Sequence, residues 1–337
     1  MQSIKCGKQS FVPTKYPKIS AWCSTAGKKE SEGPLRNHFD IHQTETYFGE
    51  SSWESAENKM QELTLERLIS KANIKKEDID IIYSGDLLNQ CIGSSFSLNN
   101  SGIPHLGIYG ACSNMAEGLL MATLAVESGY ATNAIAMTSS HFASSERQYR
   151  FPLGYGGQRT PTSQWTVTGS GAALISNCGD GPRVTSCTIG CITDYGIKNA
   201  NNMGAAMAPA ALKTITAHFN DLGVSENDYD LIVTGDLGNH GRNVLQTLAR
   251  REGLDLDGKL VDCGSLIYDT KTQDVHSGGS GCGCSAITLC GYLLDQIKAN
   301  AIKNILFCGT GALLSPTSTQ QGKTIPGICH AVAISGG

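Results

Sequence analysis

A single cysteine stands where a long apolar helix is predicted to begin. Residues 108–115 read IYGACSNM, so Cys112 follows a Gly-Ala pair. From Asn114 to Ser128 apolar residues recur at helical spacings, and Gly129 is suited to end the helix. A thiol at such a junction faces the positive end of a helix dipole, which can lower its pKa and make it a nucleophile. The alternative is a small buried hydrophobic residue whose sulfur has no chemical role.

The chain contains a duplicated segment. Residues 78–87 (DIDIIYSGDL) return as residues 228–237 (DYDLIVTGDL), at a constant offset of 150. A helical pattern precedes each copy, and a second helix and apolar strands follow it. We therefore predict two βαβαβ halves, residues 1–181 with an N-terminal arm and residues 182–337.

Alternating strands and helices predict an α/β protein whose mostly parallel sheets are covered by helices. Two halves related by a pseudo-twofold axis would share one cleft, because ligands bind at the carboxyl ends of strands in such sheets. The stretches expected to line this cleft are Cys112, the loop after Asp86, the equivalent loop at Gly235 and Asp236, and the glycine-rich turn 278–283 with Gly279, Ser280 and Cys282.

Composition excludes several functional classes. The 337 residues have a net charge of −4 and no basic stripe, so we do not expect nucleic acid as a partner. No stretch approaches the roughly eighteen apolar residues of a membrane span, and the polar first residues do not resemble a secretory signal. The thirteen cysteines include no Cys-x-x-Cys pair, which favours reduced thiols in a cytosol-like compartment. We predict neither a metal nor a cofactor.

The duplicated halves and the Gly-Ala-Cys-Ser junction resemble the thiolase fold over nearly the whole chain, which implies a layered αβαβα arrangement. In thiolases and β-ketoacyl synthases the corresponding cysteine carries the acyl group, and a His with an Asn or second His activates it. Cys112 matches that cysteine. His240 lies a few residues past the expected position, and residues 278–284 (GGSGCGC) contain neither Asn nor His. Asp236 cannot easily replace them, because a carboxylate disfavours a neighbouring thiolate.

A narrower resemblance rests on several motifs in a fixed order. They are residues 84–90 (SGDLLNQ), 110–113 (GACS), 138–141 (TSSH), 146–152 (ERQYRFP), 168–171 (TGSG), 203–210 (MGAAMAPA) and 309–316 (GTGALLSP). These are similar to the stage V sporulation protein AD family, thiolase-like components of the spore dipicolinate uptake machinery. The resemblance implies binding of dipicolinic acid, free or as its calcium chelate. It also implies membrane-protein partners of the same system and a peripheral position on the spore inner membrane, while thiolase relatives lead us to expect a homodimer.

A dipicolinate pocket needs donors for two carboxylates and an apolar slot for the ring. Arg147 and Arg150 flank Tyr149 and could bind carboxylates, or could pair with Glu146 and other surface acids. The N–H groups of the turn 278–283 could receive an anion, or its glycines could serve only close packing.

Histidines and aspartates near the predicted cleft also have two interpretations. His141 could contact the ligand or be a hydrogen-bonded core histidine, and His240 is a further candidate. Asp86 and Asp236 have the wrong charge for an anion, so we expect them to brace their own loops unless they face the calcium of a chelate.

Three functions follow from these features. The leading hypothesis is a non-catalytic dipicolinate-binding component of the uptake machinery. The second is an active acyltransferase using Cys112 with His141 or His240 as base, and the third is a scaffold with a vestigial pocket. The candidate ligand-binding residues are Cys112, His141, Arg147, Arg150, Gly235, Asp236, His240, Gly279, Ser280 and Cys282.

Overall fold

The strands and helices follow each other in the alternating order that the sequence predicts. The computed structural model describes residues 4–149 and 159–336. The strands in these ranges are β1 (Ile4–Cys6), β2 (Ser10–Val12), β3 (Lys18–Ala26), β4 (Ile41–His42), β5 (Ile81–Gly85), β6 (His105–Gly107), β7 (Asn133–Ser140), β8 (Trp165–Thr166), β9 (Gly169–Ser176), β10 (Arg183–Thr188), β11 (Leu231–Thr234), β12 (Leu260–Asp262), β13 (Gly279–Ser280), β14 (Asn304–Ala312) and β15 (Gly327–Ser335). The helices are α1 (Trp53–Ala72), α2 (Ile92–Leu98), α3 (Asn114–Ser128), α4 (Phe142–Tyr149), α5 (Met203–Leu222), α6 (Gly238–Arg251), α7 (Cys263–Leu266), α8 (Cys282–Thr288), α9 (Leu294–Lys298) and α10 (Pro316–Gln320).

The duplication is visible in the strand order. The first half runs β3-β9-β7-β5-β6 and the second runs β10-β15-β14-β11-β12. Corresponding pairs have the same direction: β5 is parallel to β6 and β7, as β11 is to β12 and β14. The two rows meet where Arg183 of β10 lies opposite Lys18 of β3. The predicted two-half fold is confirmed, whereas the exact boundary after residue 181 stays a prediction.

The prediction of mostly parallel sheets is wrong. Strand β9 runs antiparallel to both β3 and β7, and β15 runs antiparallel to both β10 and β14. The periodicity did not reveal this because β9 and β15 are buried on both faces and read as continuous apolar runs in either direction.

The helices cover these sheets in layers. Helix α1 packs on β3, β7 and β9, and α5 packs on β14 and β15, whereas α3 contacts strands of both halves. Helix α3 spans the predicted residues and ends at Gly129, whose φ of 81° is left-handed as the C′ position requires. Helix α1 is capped at its start by Ser52, whose side chain accepts the N–H of Ser55.

The N-terminal arm is ordered by pairing. Residues 4–12 form the β1–β2 hairpin, and β2 adds antiparallel to β10 through Phe11 and Ser10. Asp221 of α5 accepts the N–H groups of Lys8 and Gln9. The predicted N-terminal arm thus contains two short strands, and its partners in β10 and α5 lie about two hundred residues away in sequence.

Two glycines of β14 let the halves meet closely beneath Cys112. A Cβ at Gly309 would lie 2.6 Å from Cβ of Ala116, and one at Gly311 would lie 2.7 Å from the carbonyl oxygen of Gly110. Both neighbours belong to the turn and the first part of α3.

We expect Gly309→Ala to lower the free energy of unfolding by about 1–3 kcal/mol, because the added methyl group forces α3 away from β14. Urea denaturation measures this difference. Gly107→Ala is the matched control, since its nearest neighbour would lie at an ordinary 3.7 Å. Equal stability of the two variants would contradict the close packing described here.

Candidate ligand site at Cys112

Cys112 occupies a strained turn between the two halves. The short 3-10 turn Ala111–Ser113 leads directly into α3. Ala111 has a φ of 56°, an uncommon left-handed conformation for a residue with a Cβ. The amide of Gly110 donates to Oδ1 of Asn114 at 2.6 Å, and Oγ of Ser113 donates to the Gly110 carbonyl at 2.7 Å. These bonds hold the turn and direct the buried Cys112 side chain toward the second half.

Asp236 is the acid that faces Cys112. Its side chain is fully buried, and its charge acts on the Cys112 thiol. Oδ1 also accepts from Oγ1 of Thr310 at 2.8 Å, and Oδ2 accepts from Oγ of Ser280 at 3.2 Å and the amide of Gly281 at 2.9 Å. Burial raises the pKa of Asp236, and these donors partly offset that rise.

The surroundings of Cys112 favour the neutral thiol. Burial, followed by the charge of Asp236 and the thiol of Cys282, raises the pKa of Cys112 well above its ordinary 9.0. The helix dipole acts in the other direction but is the weaker influence in this buried, acidic setting. All eight histidines lie in the described part of the chain, and none lines the pocket at Cys112.

The glycine-rich turn donates its N–H groups to the protein itself. Gly281 donates to Asp236, and the amide of Gly283 donates to Oγ of Ser140 at 3.1 Å. Cys282 is fully buried and its thiol donates to the Ser139 carbonyl at 2.9 Å. A Cβ at Gly279 would lie 2.9 Å from Cγ2 of Ile267. The structure therefore favours the packing interpretation of these glycines over an anion-binding turn.

A pocket opens above Cys112 and Ser280. The space between its walls, counted with the open mouth, is about 460 Å³. Its described wall is mostly apolar and consists of Leu87, Ala111, Cys112, Ser145, Glu146, Tyr149, Thr166, Met203, Ser280, Ala312 and Leu314. The carboxylate of Glu146 accepts a hydrogen bond from Oγ1 of Thr166 at 3.0 Å. The wall thus combines an apolar slot with hydroxyl groups and one acidic side chain.

Tyr149 forms the aromatic side of the pocket. Its hydroxyl donates to the Leu87 carbonyl at 2.6 Å and lies 3.3 Å from the hydroxyl of Tyr109. Nε2 of Gln148 donates to the same Leu87 carbonyl at 3.0 Å. The end of α4 is thereby tied to the loop after β5, and the Tyr149 ring packs against Leu87, Cys112 and Cys282.

Two predicted contact residues lie away from this pocket. His141 is fully buried; its Nε2 bonds the Thr46 carbonyl at 2.9 Å, and burial lowers its pKa. Arg147 is exposed, pairs with Glu54 and lies over the Trp53 ring, its guanidinium carbon 5.3 Å from the ring centre. His141 is thus a hydrogen-bonded core histidine, and Arg147 belongs to a surface ion pair. In both cases the structure favours the alternative to ligand contact.

The remaining predicted residues divide in the same way. His240 lies in the first turn of α6, where its amide donates to Oγ of Ser277 at 3.0 Å, outside the pocket. Gly235 and Gly279 pack against neighbouring atoms, and Cys112, Asp236, Ser280 and Cys282 converge. Arg150 lies outside the described residues.

Several residues of the site were missed by sequence reasoning. Thr310 is one of them. It corresponds to Ser139 when the strand that begins at Asn304 is aligned with the strand that begins at Asn133, so this alignment could have predicted Thr310. Tyr149 and Met203 lie within motifs that the sequence singled out, but nothing in their pattern indicates that they face one pocket.

A buried polar network supports the first-half side of the pocket. Glu57 of α1 accepts from Oγ of Ser139 at 2.8 Å and Oγ of Ser144 at 2.9 Å, and Nε2 of Gln61 donates to Oγ of Ser139 at 2.6 Å. Burial, reinforced by the charge of Asp86, raises the pKa of Glu57 to about 8. The same Ser139 accepts the Cys282 thiol, so the network fixes a residue that borders Cys112.

Comparisons with known proteins identify the family. The family described as Stage V sporulation protein AD (SpoVAD) matches residues 7–335. The chain belongs to this family. Stage V sporulation protein AD of Bacillus subtilis (strain 168) is 42% identical over 326 residues, which cover 97% of this chain and 96% of the relative. The family predicted from the ordered motifs is confirmed.

Solved structures show the fold that the family shares. The 3-oxoacyl-[acyl-carrier-protein] synthase III of Aquifex aeolicus VF5 is 14% identical, with a TM-score of 0.57 and coverage of 95% of this chain and 99% of that one. Human mitochondrial 3-ketoacyl-CoA thiolase, solved in complex with CoA, is 12% identical, with a TM-score of 0.58 and coverage of 100% and 99%. The thiolase-like fold is confirmed, and likeness at this identity concerns the fold alone. Among the described residues, no helix combines the length and apolar character of a membrane span.

We expect Glu57→Gln to change how stability depends on pH. Glu57 has a folded pKa of about 8 against an ordinary 4.5, so the folded state holds a proton that the unfolded state releases between these values. Its burial therefore costs more stability as pH rises through this interval, by at most about 1.4 kcal/mol per unit, and the variant removes that cost. The free energy of unfolding of Glu57→Gln minus that of the parent protein should therefore be larger at about pH 8 than at about pH 5.

Urea unfolding of both proteins at the two pH values measures this change. Glu62→Gln, on the same helix but partly exposed, is the control and should show no such trend. A constant difference between Glu57→Gln and the parent protein at both pH values would show that Glu57 is ionised in the folded state.

Proposed function

We propose that this protein is a non-catalytic component of the spore dipicolinate uptake machinery that binds dipicolinic acid in the pocket at Cys112. Membership of the stage V sporulation protein AD family supports a role in sporulation. The observation that carries the proposal is the replacement of an activating imidazole by the buried carboxylate of Asp236 beside Cys112.

The chemistry of this pair favours binding over acyl transfer. A cysteine attacks an acyl group as the thiolate, and an adjacent base or cation normally stabilises that form. Cys112 has an acid as its neighbour, and its pKa lies well above 9.0. At neutral pH the thiol is a weak hydrogen-bonding group on the floor of the pocket rather than a nucleophile.

The shape of the pocket suits a planar aromatic ligand. Tyr149, Leu87, Met203 and Leu314 provide apolar walls, against which a pyridine ring can pack. Offset packing on the Tyr149 ring would add to the burial of the ligand. Ser280 and Thr166 also line the pocket, where each hydroxyl donates its proton to a protein carboxylate and leaves its oxygen as an acceptor.

The charge of the pocket bears on the form of the ligand. Dipicolinate carries two carboxylates, and the described wall holds the acidic Glu146 but neither Lys nor Arg. Calcium in a chelate would offset the repulsion between a ligand carboxylate and Glu146, since calcium prefers oxygen ligands. We therefore include the calcium chelate as the favoured ligand in the proposal.

Isothermal titration with dipicolinate, with and without calcium, tests the proposal. We expect saturable binding, tighter with calcium, and a loss of affinity of about tenfold or more in Met203→Trp, because the larger side chain fills the slot. Met121→Trp is the matched control, since Met121 is similarly half-buried but lies on α3 away from the pocket.

Two results would contradict this function. One is the absence of heat at millimolar ligand in either condition. The other is a covalent acyl adduct after incubation with acyl-CoA that disappears in Cys112→Ser, because such an adduct would make the protein an acyltransferase.

A further inference from the structure

A segment after β10 displays large apolar side chains to solvent. Ile189, Ile192 and Tyr195 are 45%, 68% and 59% exposed, and they recur every third residue. Single exposed apolar residues are ordinary, but three within seven residues form a surface that calls for a partner. We call these three side chains the 189–195 surface.

The backbone of this segment is held firmly. Thr193 exchanges hydrogen bonds of 2.9 and 2.7 Å with Gly327 of β15, and the Ile189 amide donates to the Gln9 carbonyl at 3.0 Å. Farther along, the Ile325 amide donates to the Ile197 carbonyl at 2.7 Å. Because these bonds fix the chain on both sides, the exposed side chains are presented in a defined arrangement rather than on a free loop.

Positive charge slightly exceeds negative charge beside the 189–195 surface. Lys213 lies 5.6 Å from the centre of the Tyr195 ring, and Lys198 is exposed in the same segment. Asp194 is the opposing charge, but its carboxylate accepts from Oγ1 of Thr324 at 2.5 Å and the Gly196 amide at 2.9 Å. Both oxygens of Asp194 are thus directed to the protein, whereas the two ammonium groups remain at the surface.

The surface lies at the end of the sheet that carries the pocket. Thr193 pairs with Gly327, and Gly327 stands opposite Ala312, which lines the pocket. The segment then leads into α5, whose first residue, Met203, also lines the pocket. The 189–195 surface is therefore linked to the pocket wall through β15 and through the start of α5.

We propose that the 189–195 surface docks on the interfacial region of an anionic lipid bilayer. Isoleucine side chains enter the boundary between headgroups and acyl chains, a tyrosine ring suits that boundary, and Lys198 and Lys213 face the anionic headgroups. The proposal rests on the proposed function in one respect, namely that the bilayer is the membrane at which the uptake machinery acts.

Vesicle flotation of the full chain tests this assignment. The probe is a set of vesicles of phosphatidylglycerol and phosphatidylethanolamine, compared with phosphatidylcholine alone. We expect the parent protein to float with the anionic vesicles and Ile192→Glu to bind them about tenfold or more weakly, because a carboxylate replaces the most exposed apolar side chain. Phe96→Glu is the control, since Phe96 is 60% exposed on α2 and should float like the parent.

The outcomes separate the lipid assignment from the ligand function. The lipid assignment is overturned if the parent protein does not float with the anionic vesicles, or if Ile192→Glu floats equally well. Light scattering that shows a dimer in the parent and a monomer in Ile192→Glu, without flotation, assigns the surface to a second copy and also overturns it. Titration with dipicolinate tests the pocket alone, and Ile192→Glu should bind dipicolinate like the parent. Absence of dipicolinate binding in the parent would refute the proposed function and not the lipid contact.

Discussion

The electrostatic interaction between the Cys112 thiol and the Asp236 carboxylate is the interaction on which the site depends. It joins the two halves, because Cys112 lies in the turn that leads into α3 and Asp236 follows β11. The donors that surround Asp236, from Thr310, Ser280 and Gly281, fix the carboxylate in place and bring the glycine-rich turn against the pocket. The likeness to solved acyl-transferring enzymes is at 12–14% identity and therefore concerns the architecture alone.

Duplication produced this site through two equivalent aspartates that now differ in role. Asp86 accepts from the amide of Leu88 in its own loop and from the amide of Ser94 in α2, into which that loop leads, so it braces its own loop as expected. The same expectation is wrong for Asp236, whose carboxylate accepts hydrogen bonds from distant segments of the second half. Ser139 and Thr310 occupy equivalent strand positions but have different partners. The Ser139 hydroxyl donates to Glu57, and the Thr310 hydroxyl donates to Asp236. The first half thus supports the site through Ser139 and Glu57, and the second half places Asp236 and Thr310 next to Cys112.

The sequence contained the fold and part of the site. The repeated segment, the helix after Cys112 and the ordered motifs were sufficient for the two-half architecture, because each depends on local periodicity or direct identity. The convergence of Cys112, Asp236, Ser280 and Cys282 was also accessible, since it follows from where strands end in such a sheet. These predictions needed no knowledge of individual side-chain directions.

Other features could not be predicted, because they depend on where side chains point. Arg147 and Tyr149 lie two residues apart on α4, yet one pairs with Glu54 at the surface and the other lines the pocket. His141 is turned toward the Thr46 carbonyl in a loop without periodic pattern. The direction of β9 and the pairing of the N-terminal arm are set by distant partners, which a local pattern does not encode.

The ionisation of the Cys112 thiol tests the central claim most directly. Thiolate absorbs in the ultraviolet, so the difference in absorbance between the protein and its Cys112→Ser variant reports the state of this sulfur at each pH. The structure predicts no thiolate signal up to pH 9.0, the ordinary pKa of a cysteine, because burial and Asp236 hold the proton on Cys112. A thiolate signal at neutral pH would show an activated nucleophile and would contradict this account.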